Sequence, residues 1–400
     1  MKKAQILFAL IFSSSLVAQE YTHFTEAEGL INNSVNGLTI DQDQSIWFGT
    51  NNGVSMFDGD NWTSYTTELI STSITAIFAS TNGDIWFGTD FGINTFDGAS
   101  WEIYTEDDGL GDNRISCINE DSNGGIWVGQ KNGISKYDGA EWTSYGMEDG
   151  LPFGGINEIS FDSNNDLWLA NSIFGMIHFD GTDFTTYNTN AGLVSNSVRT
   201  IEIDEEDNKW VGTAQGITVL NANNNVVDHH TMMLLLPEPD TLNPVVDIVF
   251  DSQGNVWTGI YVDYLVTVGG VAAWNGDSWT GFTYAEELVG PVVRALAVDT
   301  NDAIWVATST GVTKISEPVL SVSNVSANSE MSVYPNPATS EVTIELDKGA
   351  EITLVNSLGQ YVLHEKMNIG LNILNVSSLT NGLYFIKSED SSFEKLLINH

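Results

Sequence analysis

Residues Asp121 to Tyr145 read "DSNGGIWVGQKNGISKYDGAEWTSY", four short β-rich pieces separated by turn formers. The same statement recurs along the chain. Upstream lie "DQDQSIWFGTNNGVSMFDGDNWTSY" and "STNGDIWFGTDFGINTFDGASWEIY", and downstream comes "DSNNDLWLANSIFGMIHFDGTDFTTY". Three weaker copies follow, "DEEDNKWVGTAQGITVL", "DSQGNVWTGIY" and "DTNDAIWVATSTGVTKI". The first tryptophans of the units are Trp47, Trp86, Trp127, Trp168, Trp210, Trp257 and Trp305, spaced 39, 41, 41, 42, 47 and 48 residues apart. Seven copies at so regular a period predict a repeat architecture.

The first unit breaks into "VNGLTI", "SIWFGT", "GVSMF" and "NWTSY", joined by "DQDQ", "TNNG" and "FDGD". Asp58-Gly59 in the last joint supplies the positive φ that a tight hairpin requires. No helical period competes. Each four-stranded sheet is apolar on both faces and must stack on its neighbours, which is the logic of a propeller blade. The expected fold is therefore all-β, a seven-bladed β-propeller over residues 19–316 followed by a small C-terminal β-sandwich. Each anchoring tryptophan is expected to fill the space between blades, where burying so large a side chain gains very roughly 1.5 to 3 kcal/mol.

The ends of the array support this. The seventh copy stops after its third strand at "GVTKI", while "EYTHFTEAEGL" near the N-terminus aligns with "EWTSYGMEDGL", the fourth strand and exit loop of the quoted unit. A strand from Tyr21 to Thr25 is expected to complete the last blade and leave no open edge.

The pattern D-x-x-G-x-[IL]-W-[FVI]-G-T, then G-[VIL], then [FY]-D-G, resembles the two-component regulator propeller repeat, over Tyr21 to Ile315. Members of that family mostly form the periplasmic sensor half of hybrid histidine kinases that detect oligosaccharides released from polysaccharides. No membrane-spanning run follows the repeats here, and no kinase module. The resemblance accordingly implies ligand binding without the signalling half.

Both termini read as addresses. Residues 1–18 carry Lys2 and Lys3, an apolar run from Ile6 to Phe12 and small residues up to Ala18, the pattern of a secretory signal peptide. No cysteine follows that run, so a lipoprotein anchor is not expected. The one cysteine of the chain, Cys117, excludes an intramolecular disulfide framework and is expected to be a buried core residue. After a Ser/Asn-rich linker, 317–331, residues 332–400 read as about seven short strands. This tail resembles the type IX secretion C-terminal sorting domain, on Tyr334, Pro335, Asn336 and Pro337 at its start, Asn381, Gly382 and Tyr384 in "NGLY", and Lys395 near its end. The resemblance implies passage through the outer membrane by the type IX machinery and removal by a sortase, leaving the protein secreted or attached to the cell surface. A working Ig-like binding module is the other reading of the tail.

With 53 acidic and 13 basic residues the net charge is −40, which repels nucleic acid and anionic membranes. Nucleic acid is excluded as a partner.

Catalytic motifs are sparse. Asp162, Asn164 and Asp166 have the spacing that begins calcium loops, but the distant bidentate glutamate is missing and the segment falls in a hairpin. His229 and His230 beside Asp228 alternate faces on a strand, which prevents joint ligation. "GDS" at Gly276 to Ser278 occupies a turn of earlier units, and His178 an outer strand equivalent to Met56. No metal, no cofactor and no catalytic residue is expected.

Ligand recognition is expected instead on the loops between second and third strands and on the crossovers, where variation sits on a rigid frame. The short form of the loop is "TNNG". Blade four has "ANSIFG" with Ile173 and Phe174, blade six "IYVDYLVTVGG" with Tyr261, Asp263 and Tyr264, and Phe91 and Lys131 belong to the same rim. Aromatics beside Asp and Asn suit a sugar, which offers an apolar face and a ring of hydroxyls. Arg114, Arg199 and Arg294 lie 13, 11 and 11 residues before their tryptophans, where crossovers enter the innermost strands. They form either a cationic spot for a carboxylate or sulfate, or pairs with rim acids such as Asp112. The expected protein is an exported, monomeric, non-catalytic propeller that binds an oligosaccharide or a surface protein. Protein docking or adhesion is the first alternative, and a propeller lyase or glycosidase the second.

Overall fold

The computed structural model of the chain describes residues 20–234, 243–261, 269–284, 287–316, 331–334, 338–346, 348–356, 361–377, 379–380, 382–388 and 393–398. It divides into two compact units at residues 321 and 322.

The first unit is a ring of seven four-stranded antiparallel sheets. In blade 1 the strands run from the innermost outward as Val35–Ile40, Ile46–Thr50, Gly53–Phe57 and Trp62–Tyr65. The last blade takes Val293–Val298, Ile304–Thr308 and Gly311–Ser316 from one end of the chain and Glu20–Phe24 from the other. Glu20 pairs with Ser316 and Phe24 with Val312, so the expected closure is present, and Phe24 stacks on Trp305 at 5.3 Å between ring centroids.

Each element of the repeat has a local cause. In the Asp-Gly turn of blade 1, Asp58 Oδ1 accepts the N–H groups of Asp60 and Asn61, and Gly59 sits at φ 101°. The glycine after the tryptophan makes room for the next blade: a Cβ on Gly49 would stand 2.6 Å from Ile74 Cγ2, and one on Gly88 2.6 Å from Ile115 Cγ2. The tryptophans fill the seams between blades, as Trp47 does against Phe87 and Phe96 of its neighbour.

The aspartate six residues before the tryptophan explains why the motif begins where it does. In blade 1, Asp41 Oδ1 accepts the N–H of Asp43 and of Ser45, closing the hairpin, while Oδ2 accepts the indole N–H of Trp47 at 2.8 Å. The same bond joins Trp127 to Asp121, Trp168 to Asp162, Trp210 to Asp204, Trp257 to Asp251 and Trp305 to Asp299. Blade 2 has Ser80 there, and Trp86 Nε1 is buried without a partner. A buried donor left unpaired is costly.

The second unit has two sheets. One has three strands, Met331–Tyr334, Glu341–Leu346 and Gly370–Asn375; the other has four, Tyr361–Met367, Ala350–Asn356, Gly382–Ser388 and Phe393–Ile398. Val342, Ile344 and Leu374 from the first share a core with Ile352, Leu354, Ile386 and Leu396 from the second. Tyr384 is buried there, its hydroxyl donating to Thr380 O at 3.0 Å. Gly382 opens its strand, Lys395 pairs in register with Phe385, and Tyr334 is exposed. Pro335, Asn336, Pro337 and Asn381 lie outside the described residues.

Two stability predictions follow from the seams. Ser80→Asp gives Trp86 its missing acceptor and should stabilise the propeller by about 1 kcal/mol, read as a raised chemical-denaturation midpoint. Deleting Glu20 to Gly29 uncovers the strand Gly311–Ser316 along its length, and the truncated protein should aggregate or lose most of its stability by sedimentation and thermal melting.

Candidate functional site

Two regions of the propeller present chemistry beyond the scaffold: the face carrying the loops between second and third strands, and the central channel.

On the loop face, Phe91 is 62% and Phe174 43% exposed. Asn171 fixes the blade-four loop: its Oδ1 accepts the N–H groups of Ile173 and Phe174 at 2.9 and 2.8 Å, and its Nδ2 donates to Phe153 O of the preceding crossover at 3.4 Å. Phe153 and Met147, on that crossover, are 54% and 64% exposed and join the rim. Sequence reasoning missed these two, although a large apolar residue inside the turn segments "GMEDG" and "LPFGG" was a readable signal. Beside them a groove of about 280 Å³ is lined by Asp112, Gln130, Asn132, Tyr145, Glu148 and Asp149. Lys131 follows Gln130 on the same loop. Arg114 forks onto Asp112, Nε to Oδ1 at 2.9 Å and Nη2 to Oδ2 at 2.5 Å, and this arginine chiefly holds the Asp112 carboxyl below its ordinary range. Tyr261 directly follows the strand Val256–Ile260; Asp263 and Tyr264 lie outside the described residues.

Each innermost strand carries a bulge at its second residue, seen as a register shift between Val35 and Gly37 in blade 1. The side chains at these bulges reach forward to the next blade. Asn36 donates to Ile74 O, Thr75 to Ile115 O, Ser116 to Ile156 O and Asn157 to Val198 O. Arg294 occupies this position in the last blade and spans the closing seam, donating to Ser34 Oγ at 2.9 Å, Val35 O at 3.5 Å and Asn36 Oδ1. Arg199, the equivalent of blade five, lines the channel with interactions of its own. The three arginines are thus not one cationic spot: Arg114 is paired with a rim acid and Arg294 is part of the ring closure.

The channel they border has a volume of about 590 Å³ and is walled by the seven innermost strands. Cys117 lines it. The expectation of a core cysteine holds in part: Cys117 is half-buried and packs against the core between blades three and four, its Sγ 3.8 Å from Ile156 O, and burial pushes its thiol up. Three carboxylates face the same space. Glu158 Oε2 accepts Ile201 N at 3.2 Å, Asp247 Oδ2 accepts Leu296 N at 2.6 Å, and Glu202 stands lower on its strand. Burial is the largest influence on all three. It pushes Glu202 up to about 8, with Asp247 adding to it, and Asp247 up to about 7 against the N–H groups of Leu296 and Ile248. Glu158 is raised well above the carboxylate range by burial, then by Asp247 and Glu202. Folded-state values above the unfolded ones mean that these groups contribute stability at acid pH and lose it as pH rises through about 7 and 8. The positions of Glu158 and Asp247 in the repeat hold Gly37, Ala76 and Ala295 in other blades, so aligning the innermost strands was the signal that would have found these two.

Outside the channel, Asp162, Asp166 and His178 place ligand atoms within 4.8 Å of one another. His178 Nε2 bonds Asp166 Oδ2 at 2.9 Å, and the ring stacks on Trp168 at 4.4 Å. Lys136 and Lys314 hold the same register on Trp127 and Trp305, paired with Asp121 and Asp299. His178 takes the place of those lysines and is scaffold. His230 likewise stacks on Trp210.

Comparison with known proteins agrees with this anatomy. The family description "Two component regulator propeller" matches residues 29–52, 68–91 and 109–132, and "Secretion system C-terminal sorting domain" matches residues 332–399. No sequence among curated proteins matches the chain. Among solved structures, the extracellular domain of a hybrid two component system from B. thetaiotaomicron is similar at a TM-score of 0.64 and 18% identity, covering 96% of this chain and 55% of that one. PorZ, a surface component of the type-IX secretion system of Porphyromonas gingivalis, is similar at 0.56 and 16%, covering 92% and 60%. Virginiamycin B lyase from Staphylococcus aureus is similar at 0.60 and 15%, covering 75% and 99%. The chain spans little more than half the length of the first two, and at these identities the likeness shows the fold alone. The chain carries two-component regulator propeller repeats and a secretion sorting domain that marks it for export, to be secreted or surface-attached.

Proposed function

We propose that the protein is an exported, non-catalytic ligand-binding propeller that recognises a glycan on its loop-rich face. The observation that carries this is the joining of a polar groove of about 280 Å³, rich in Asp, Asn, Gln and Glu, to exposed apolar side chains on neighbouring loops. A pyranose needs both, hydrogen-bond partners for its hydroxyls and a flat apolar surface for its ring. Asn171 pre-arranges the blade-four aromatics, which lowers the ordering cost of binding. Lys131, between the groove residues Gln130 and Asn132, suits a ligand bearing carboxylate or sulfate. The relatives described as hybrid two component systems agree in fold with a sensing role, and the lyase relatives agree in fold only.

A protein-docking role is the second reading, favoured by the apolar group of Met147, Phe153, Ile173 and Phe174. Probing the chain against arrays of glycans and of surface proteins separates the two. Phe174→Ala with Phe153→Ala should weaken binding to any glycan hit at least about tenfold while leaving the melting temperature nearly unchanged. Unaltered glycan affinity in that double variant would move recognition elsewhere.

The tail is proposed to act as an address for the type IX machinery and its sortase and to take no part in recognition. Removing residues 332–400 should leave a folded propeller in the periplasm, as seen by fractionation and immunoblotting. Arrival of the truncated protein in the medium or on the cell surface would refute the assignment.

A further inference from the structure

The C-terminal domain turns a row of large apolar side chains to water. Leu371 and Ile373 in the strand Gly370–Asn375, and Ile369 just before it, are 66–71% exposed, more than any other large apolar side chain among the described residues. Leu371 and Ile373 point away from the core that their strand neighbour Leu374 enters. The row is held in place at its start. Asn372 donates through Nδ2 to Asn368 O at 2.8 Å and Gly370 O at 3.0 Å, its Oδ1 accepts Asn368 N at 3.2 Å, and Gly370 takes φ 93° in the turn so formed.

The edge beside this row is undefended. Among the described residues Gly370–Asn375 pairs on one side only, with Glu341–Leu346, in register from end to end. Open edges are ordinarily guarded by charge, proline, a bulge or brevity. The other edges of the domain follow that rule: Tyr361–Met367 carries His364, Glu365 and Lys366, Phe393–Ile398 carries Glu394 and Lys395, and Met331–Tyr334 has four residues. Gly370–Asn375 has none of these guards, and no charged residue occurs from Met367 to Ile386.

Size and task together select what meets this edge. At about 60 to 120 Å² for each aliphatic side chain, the row offers far less than the roughly 800 Å² per partner of a stable interface. That is too little for a lasting dimer of the chain and suits a contact that is made and released. The tail matches the secretion sorting family over residues 332–399, and sorting requires such a contact. We propose that the type IX machinery reads this domain by strand addition: an extended, uncharged segment of a machinery protein, apolar at alternate positions, pairs with the open edge of Gly370–Asn375 and packs on Ile369, Leu371 and Ile373. In pairing of this kind main-chain hydrogen bonds supply affinity and alternate side chains supply specificity. The proposal rests on the reading of the tail as an address and names the surface that is read.

Export of full-length variants from cells with type IX secretion, followed by fractionation and immunoblotting, tests it. Leu371→Lys with Ile373→Lys should hold the protein in the periplasm, as removal of residues 332–400 is expected to, because lysines on an edge block strand pairing. Leu371→Thr with Ile373→Thr, which keeps strand propensity, should lose export likewise. Leu371→Ile with Ile373→Val should keep it, and so should His364→Ser with Lys366→Ser on the guarded edge. Thermal melting of the purified full chains shows that each variant is folded. Normal export of the lysine and threonine pairs, with the truncated chain held in the periplasm, would overturn the proposed surface and leave the address. Export of the truncated chain would overturn both. A dimer of the purified chain in sedimentation that the lysine pair abolishes would overturn the proposal in favour of a second copy.

Discussion

The indole of each blade lies in the seam with the next, and in six of the seven blades the carboxylate that takes its N–H also closes the hairpin in front of it. The two jobs are inseparable. One oxygen of Asp299 accepts the N–H groups of Asn301 and Ala303, which shape the turn, and the other holds Trp305 where the neighbouring blade packs on it. Local turn geometry and inter-blade packing are thereby set by one side chain, and the rest of the ring inherits its regularity from that coupling. At Trp127 and Trp305 a lysine pairs with the carboxylate and lies over the ring, adding charge to the same joint.

Much of this was legible in the sequence because it is local. The aspartate, the tryptophan, the glycine after it and the Asp-Gly turn fall at fixed offsets, and a repeated offset is visible to the eye. The completing strand was legible for the same reason: "EYTHF" looks like the fourth strand of other units. Interactions that cross from blade to blade were not. Nothing near Arg294 in the chain says that it bonds Asn36, 258 residues away, so a residue of the closing seam read as a candidate for ligand charge. Cys117 read as core because a strand residue beside isoleucines ordinarily is, and it packs there, although it also borders the lumen. The rim was half legible. Phe91 stood out as an aromatic in a short polar loop and Phe174 as an addition to one, whereas Phe153 and Met147 lay in a crossover whose path sequence alone does not give.

The innermost strands show how a scaffold and a site divide the same positions. An inner edge has unpaired backbone groups, and the bulge residues of one blade satisfy those of the next. Asn, Thr and Ser do this without leaving charge. Where the residue after the bulge is Glu158 or Asp247 it accepts a backbone N–H of the next blade, but a carboxyl group is carried into a narrow lumen, at a cost in stability above neutral pH. Positions where a cheaper residue would serve the fold are where the pressure of another task becomes visible.

The strand Glu20–Phe24 pairs with Gly311–Ser316, and His23 Nδ1 lies 3.1 Å from Thr313 Oγ1 across 290 residues. Contacts of such separation are entropically the last to form and make folding slow. The ring therefore stays open, with an unpaired edge, until the end of the propeller sequence is available to meet its beginning. For a chain that carries an export tail, this fixes the order of events: whatever the inner blades do on their own, the closed and aggregation-resistant ring arises only once both ends of the propeller sequence are present.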